Sequence, residues 1–253
     1  MGSEISVAAV VLTLNEERHI RACLDSVRWA DRQVVFDAHS SDATAELAEE
    51  AGAEVIQHPF KNFSQQRNAA LDAVQVDWVL FLDADERATP ALAEEVRSVI
   101  RTCEESGWWI PRYNYIMGHR MRGAGWYPDF QMRLLREGCA HYDPNRAVHE
   151  VAELDGKAGY LKSPIIHYNY ESLGQFIEKQ ERYLAYDISI LLDNDETPRI
   201  YTPYTQALRH FWWRFVELKG WKDTVWGLTL SLLMSYYELL KYRRVRKAQK
   251  PAR

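Results

Sequence analysis

Four apolar runs in the first hundred residues, each followed by a helical pattern, constrain this chain more than any other feature. Ile5 to Leu14 is rich in β-branched residues and reads as a buried strand. Asn15-Glu16-Glu17 then opens a helical pattern with Ile20, Cys23, Leu24 and Val27 on one face. Gln33-Val34-Val35-Phe36 is a second strand ending at Asp37, and Ser40 to Ala51 a helix capped by Ser41 or Asp42 and stopped by Gly52. Glu54-Val55-Ile56 is a third strand and Ser64 to Ala73 a third helix. Trp78 to Leu82 is the fourth strand, with a helix from Pro90 to Cys103 beyond it. This alternation predicts an α/β fold whose central sheet is mostly parallel, with helices on both faces. Ligands of such sheets bind beyond the carboxyl ends of the strands. Thr13, Asn15, Asp37 and Asp83 all fall there and point to one site.

Asp83-Ala84-Asp85 follows the fourth strand directly. Two carboxylates one residue apart at a strand end can share a hard divalent cation, Mn2+ or Mg2+, and through it grip a diphosphate. The alternative is that Asp83 or Asp85 caps the helix starting near Pro90.

From about Gly107 the pattern changes. Trp108 to Pro111, Tyr113 to Ile116 and Gln131 to Leu135 read as short strands, separated by Gly118, Gly123-Ala124-Gly125 and Pro128. Ser172 to Leu192 reads as a helix, followed by a polar break from Asp193 to Pro198. Three segments are expected: 1–105, a ligand-binding half; 106–198, a second-substrate half of the same domain; and 199–253, an aromatic and basic helical segment. In the last, Val225 to Tyr237 carries no charge but is too short to span a bilayer. Its aromatic residues, with basic residues from Lys241 to Arg253, suit either helices in a membrane interface or helices packed on the core or in an oligomer.

The net charge of −5 argues against general nucleic-acid binding. Cys23, Cys103 and Cys139 have no metal-ligand spacing and fit free thiols in a reducing cytoplasm. No basic segment followed by an apolar stretch opens the chain, so no signal peptide is expected.

Val11-Leu12-Thr13-Leu14-Asn15-Glu16-Glu17, Asp37, Asp42-Ala43-Thr44, Gln66 to Leu71 and Trp78 to Glu86 together resemble family 2 glycosyltransferases. Tyr127-Pro128-Asp129, Arg133-Leu134-Leu135-Arg136, Val148-His149-Glu150, His167-Tyr168 and Leu218-Lys219-Gly220-Trp221 are similar to one subgroup, the bacterial lipopolysaccharide inner-core glucosyltransferase type. The resemblance implies a GT-A fold (Rossmann-like), a nucleotide-sugar donor, a divalent metal and inversion at the anomeric carbon. It implies Asp85 as metal ligand, Asp83 on ribose or metal, and Glu150, aided by His149, as general base. One departure stands out. The family usually has a small residue, often glycine, where this chain has His39, whose side chain either crowds the base or ribose pocket or points to solvent.

Other roles stay open between chemistry and structure. Asp37 either accepts hydrogen bonds from the nucleoside or caps the helix after it. Thr13, Asn15 and Glu16 line the first loop and can read a pyrimidine edge, though Asn15 serves equally as an N-cap. Arg67 meets a phosphate or lies on a solvated helix face. Asp129 is the second candidate base, or a structural turn residue. His167, at the end of Pro164-Ile165-Ile166, joins Asp83 and Asp85 on the metal, or is a core histidine. Lys179 and Tyr183, four apart on one helix, close over the diphosphate or form a surface pair.

The expected function is thus transfer of a hexose, glucose first, from a UDP-sugar to a hydroxyl of a membrane-bound glycan or lipopolysaccharide-type acceptor. The expected location is cytoplasmic, peripheral on the inner face of the cell membrane, with oligomers possible. Two rivals are a nucleotidyltransferase and an inert membrane-associated scaffold of the same fold. The first usually has a glycine-rich basic loop where this chain has Thr13-Leu14-Asn15-Glu16, and the second is disfavoured by the retained Asp85 and Glu150.

Overall fold

The computed structural model describes residues 5–144, 151–194 and 197–249, and the chain forms two compact units. The first comprises residues 1–112 and 130–167. Its core is a parallel set: β1 (Val7–Thr13), β2 (Arg32–Asp37), β3 (Glu54–Gln57) and β4 (Trp78–Asp83). β1 lies between β2 and β4, with Thr13 opposite Asp37 and Leu12 opposite Asp83. That register puts three predicted site residues on one edge of the sheet.

Burial on both faces explains the continuous apolar runs. Val7, Ala9, Val11, Leu80 and Leu82 pack on one side with Ile20, Cys23 and Leu24 of α1 (Ile20–Ser26), Ala48 of α2 (Thr44–Glu50), and Leu92 and Val96 of α4 (Pro90–Val99). Ala8, Val10, Val34, Phe36, Val79 and Phe81 pack on the other with Ala70 of α3 (Phe63–Ala73). Two side-chain caps set helix starts. Asn62 accepts from the Gln65 amide, and Thr89 from the Leu92 amide with Pro90 in the first turn. Thr89 therefore takes the capping role once open to Asp83 or Asp85, and both carboxylates are left for other partners.

The remaining strands are β5 (Glu86–Ala88), β6 (Gly107–Ile116), β7 (His119–Arg120), β8 (Asp129–Arg136), β9 (Ala140–Tyr142), β10 (Ala152–Leu154), β11 (Ala158–Tyr160) and β12 (Ile165–Tyr170). The sheet order is β3-β2-β1-β4-β8-β6-β12-β5. The expected pair of short strands around Pro111 is one strand, β6. β8 runs antiparallel to β4, Leu80 opposite Leu134, and β12 antiparallel to β5, His167 opposite Glu86. The result is the expected α/β architecture with helices on both faces. All three cysteines are free thiols.

The second unit comprises residues 113–129 and 168–253. Its helices are α5 (Leu173–Asp193), capped by Ser172, α6 (Thr202–Trp212) and α7 (Thr224–Ala248). Ile116, Met121, Tyr170, Phe176, Leu184, Leu230 and Tyr237 form its core. Leu218-Lys219-Gly220-Trp221 makes the corner before α7. The Leu218 carbonyl accepts from the Ala124 amide at 2.7 Å, Lys219 is left-handed at φ 56°, and buried Asp223 accepts from the Arg122 amide at 2.8 Å. Gly227 sits so close to this corner that a Cβ there would overlap the Gly220 carbonyl. Backbone cannot yield as a flexible side chain can. Gly227→Ala is therefore expected to cost about 3 kcal/mol, lowering Tm by roughly 6–12 °C in a calorimetric scan. An unchanged Tm would show that the corner is not tightly packed.

Candidate active site

At the carboxyl edge of β1 and β2, Asp37 is fully buried. One oxygen accepts from Thr13 Oγ1 at 2.7 Å and from Ser40 Oγ, and the other from the Ser40 amide at 2.8 Å. Burial works to raise the Asp37 carboxyl, but hydrogen bonds from Ser40, Thr13 and Gln57 outweigh it and hold it below the usual range. The neighbouring loops are tied together. The Asn15 carboxamide accepts from the Ser41 amide, the Asn15 amide donates to Ser40 Oγ, and the Glu16 amide donates to Thr44 Oγ1, each at 2.7–2.8 Å. Asn15 is left-handed at φ 58°, a conformation asparagine tolerates, and α1 begins only at Ile20. The N-cap alternative for Asn15 thus falls. His39 is also left-handed, at φ 60°, and is exposed. A glycine would adopt that conformation without strain, and the exposure of His39 is in keeping with the solvent-facing alternative.

At the end of β4, Asp83 meets a group of guanidiniums. Arg133 of β8 forks onto it at 3.2 and 2.5 Å, and Arg67 of α3 approaches to 3.5 Å. Glu86, fully buried, accepts from Arg133 at 3.1 Å, from Arg112 at 3.0 Å and from the Asp83 amide at 2.9 Å. Burial works to raise the Asp83 carboxyl; the charges of Arg133, Arg67 and Arg112 overcome it and hold it well below the carboxylate range. Glu86, Arg112 and Arg133 were absent from the expected site. The only sequence signals were the acidic residue after Asp83-Ala84-Asp85 and the Arg133-Leu134-Leu135-Arg136 run.

Pairing of β5 with β12 brings His167 to the same turn. His167 Nε2 lies 3.3 Å from Asp85 Oδ2, with the histidine buried and the aspartate partly exposed. Among the described residues no three His, Cys, Asp or Glu side chains form a metal-holding cluster. The Asp85–His167 pair nonetheless offers one carboxylate oxygen and one imidazole nitrogen, which suits an ion that takes its remaining ligands from water and substrate phosphate.

Beside Arg67 and Arg133 lies a cavity of about 230 Å3 lined by Trp109, Phe130, Met132, Tyr142 and Ala152 among others. The Arg67 guanidinium sits 5.0 Å from the Phe81 ring centroid and 5.8 Å from that of Tyr142. It is buried, so the solvated-face alternative for Arg67 falls.

In the second unit, Asp129 accepts from Asn114 Nδ2 at 2.9 Å after the cis Tyr127–Pro128 bond. Lys179 donates to Asn169 Oδ1 at 3.3 Å and lies over the Tyr170 ring, while Tyr183 is exposed. Glu150 and His149 lie outside the described residues.

The family model described as "Glycosyl transferase family 2" matches residues 8–149. The chain is 26% identical over 245 residues to the lipopolysaccharide core biosynthesis glycosyltransferase LpsC of Rhizobium meliloti, covering 91% of this chain and 90% of that protein. It is 23% identical to an uncharacterized glycosyltransferase of Rickettsia felis, covering 96% of this chain and 90% of that protein. Among solved structures, S. aureus TarS 1-349 in complex with UDP has a TM-score of 0.52 at 15% identity, covering 96% and 91% of the two chains. That likeness is one of fold, and the fold is GT-A.

Because the Asp37 carboxyl is held below its usual value, its stabilisation is full above the unfolded pKa, about 3.9, and is lost as pH falls through the folded value. Asp37→Asn is expected to cost about 2 kcal/mol in urea unfolding at pH 7, with the gap to the parent narrowing below pH about 4. A gap that does not change with pH would mean that the charge contributes nothing.

Proposed function

The chain belongs to glycosyl transferase family 2, and on that premise we propose that it is a metal-dependent, inverting hexosyltransferase. It uses a UDP-sugar, glucose the first candidate, and acts on a hydroxyl of a membrane-bound, lipopolysaccharide-type glycan. The observation that carries the reading is the Asp85–His167 pair beside the ionised Asp83, at the strand end where α/β sheets take their ligands. The UDP bound to TarS and the core biosynthesis named for the Rhizobium relative support the donor and acceptor classes.

In this reading Asp85 and His167 would hold Mn2+ or Mg2+, with Asp83 alongside, and a cation held there would offset the negative charge that develops on the departing diphosphate. Thr13, Asn15, Glu16 and Asp37 shape the nucleoside end of the donor site, and Arg67 supplies a guanidinium on the phosphate side. The reaction is a single displacement. The acceptor oxygen bonds to the anomeric carbon as the bond to the diphosphate breaks, and a carboxylate takes the hydroxyl proton. Glu150 with His149 is the proposed base and Asp129 the second candidate. Residues 1–105 serve the donor, 106–198 the acceptor and 199–253 the membrane.

No helix among the described residues is long and apolar enough to cross a membrane. Exposed apolar stripes favour lying on one, and the side proposed is the cytoplasmic. Tyr204, Leu208 and Trp212 are exposed at four-residue spacing on α6, and Val225, Leu228, Leu232 and Tyr236 follow one face of α7. Arg209, Lys219, Lys222, Arg243 and Lys247 are exposed in the same helical segment.

Titrating UDP into the protein with manganese, then with excess chelator, tests the site. Metal-dependent binding is expected, and Asp85→Ala should abolish it and lower turnover at least ~100-fold. Binding indifferent to both would remove Asp85 from the metal. For the membrane, Leu208→Ser with Trp212→Ser should weaken partition onto phosphatidylglycerol vesicles by roughly tenfold or more. Unchanged partition with a loss of self-association would assign the stripes to an oligomer instead.

A further inference from the structure

Of the described residues that line the cavity beside Arg67 and Arg133, Arg67 alone has a part in the donor chemistry above. The parallel strands β1, β2 and β4 carry Thr13, Asp37 and Asp85 at or just beyond their ends. In the sheet order β8 and β6 lie on the opposite side of β4 from β1 and β2. The cavity is walled by Trp109 of β6 and Phe130 to Arg133 of β8 on that flank, by Tyr142 of β9 and Ala152 of β10 in the separate two-stranded sheet, and by Arg67 of α3. At about 230 Å3 it has room for a sugar ring with an acid group.

Its chemistry is specific. The charged groups among the described lining residues are two buried guanidiniums, Arg67 and Arg133, both of which also pair with Asp83. Guanidinium forks match the paired oxygens of carboxylate and phosphate. Next to them stands an aromatic platform. Tyr160 stacks on Trp109 with ring centroids 6.3 Å apart and an interplanar angle of 17°, and meets Phe130 edge-on at 5.4 Å. Tyr160 is 63% exposed and Phe130 38% exposed, so the platform costs apolar surface unless something covers it. The C–H faces of a sugar ring pack on such rings as apolar surface does.

We infer that this cavity is an acceptor subsite for an acidic sugar residue, whose carboxylate or phosphate meets Arg67 and Arg133 while its ring lies on Trp109, Phe130 and Tyr160. The inference rests on the transferase reading and deepens it by naming the acceptor's charge class.

The test is a titration with the full chain, saturated with UDP and manganese so that the donor site is filled. Glucuronic acid, glucose 6-phosphate and neutral glucose are the probes, followed by ligand-observed NMR. At least one acid probe is expected to bind roughly tenfold or more tighter than glucose. Which one binds tells a carboxylate from a phosphate. Tyr160→Ala, at an exposed position, should weaken that binding about fivefold and leave UDP binding unchanged. Arg67→Lys, which keeps the charge but loses the fork, should narrow the preference for acid over neutral sugar. Equal binding of all three probes, or acid binding untouched in Tyr160→Ala, overturns the subsite. UDP binding with no acid-sugar binding overturns the subsite alone and leaves the transferase reading standing. Acid-sugar binding in a protein that takes up no UDP overturns the acceptor assignment together with that reading.

Discussion

The ion network that joins Asp83 and Glu86 to Arg133, Arg112 and Arg67 holds the site in shape. Buried charges of this kind are costly to desolvate and persist only when each has partners, so removing one member penalises the rest. Glu86 is the pivot. One oxygen takes the Asp83 amide and closes the turn after β4, while the other ties that turn to β6 and β8 through Arg112 and Arg133. Arg87 adds bonds to the Ala84 and Glu86 carbonyls. Asp85 stands in the middle of this fixed turn, and β5, which starts at Glu86, carries the pairing that brings in His167. The aim of Asp85 is thus a consequence of the charges packed around its turn.

The parallel half of the fold was legible because its strands are buried on both faces and its helices carry local caps. Ile20, Cys23, Leu24 and Val27 turn inward as their spacing requires, and Asn62, Thr89 and Ser172 are ordinary capping residues. β5, β7, β9, β10 and β11 are only two or three residues long. Strands that short show no period, and their existence depends on partners far away in the chain. For the same reason Arg133 could not be assigned from sequence: its role follows from the antiparallel seating of β8 on β4. Asp37 shows the opposite case. Its position at a strand end was plain, but that Thr13 and Ser40 would occupy its oxygens follows from two loops whose shape rests on left-handed Asn15 and His39.

The basic stretch after Tyr237 looks in sequence like a uniform cationic tail. In the folded second unit it is uneven. Lys241 lies 2.7 Å from Glu238 and 3.6 Å from Asp187, and Arg244 forks onto Glu181 at 2.9 and 3.3 Å. Burial works against the charge on Lys241, and those carboxylates more than offset it. Part of the basic charge is therefore spent holding α7 to α5, and among the described residues of the stretch Arg243 and Lys247 face outward.

That division changes which residues can decide where the protein resides. Each exposed cation near an anionic surface adds about 1 kcal/mol and is screened by salt, whereas an aromatic or aliphatic side chain taken out of water contributes about 1.5–3 kcal/mol without such screening. Tyr204, Leu208 and Trp212 on α6, with Val225, Leu232 and Tyr236 on α7, outweigh the free cations on that scale. Attraction to a surface would then be steered by charge but held by apolar burial. The Gly220–Gly227 corner matters for the same reason. It lets the chain turn tightly into α7, which packs on α6, so both stripes belong to one packed pair of helices.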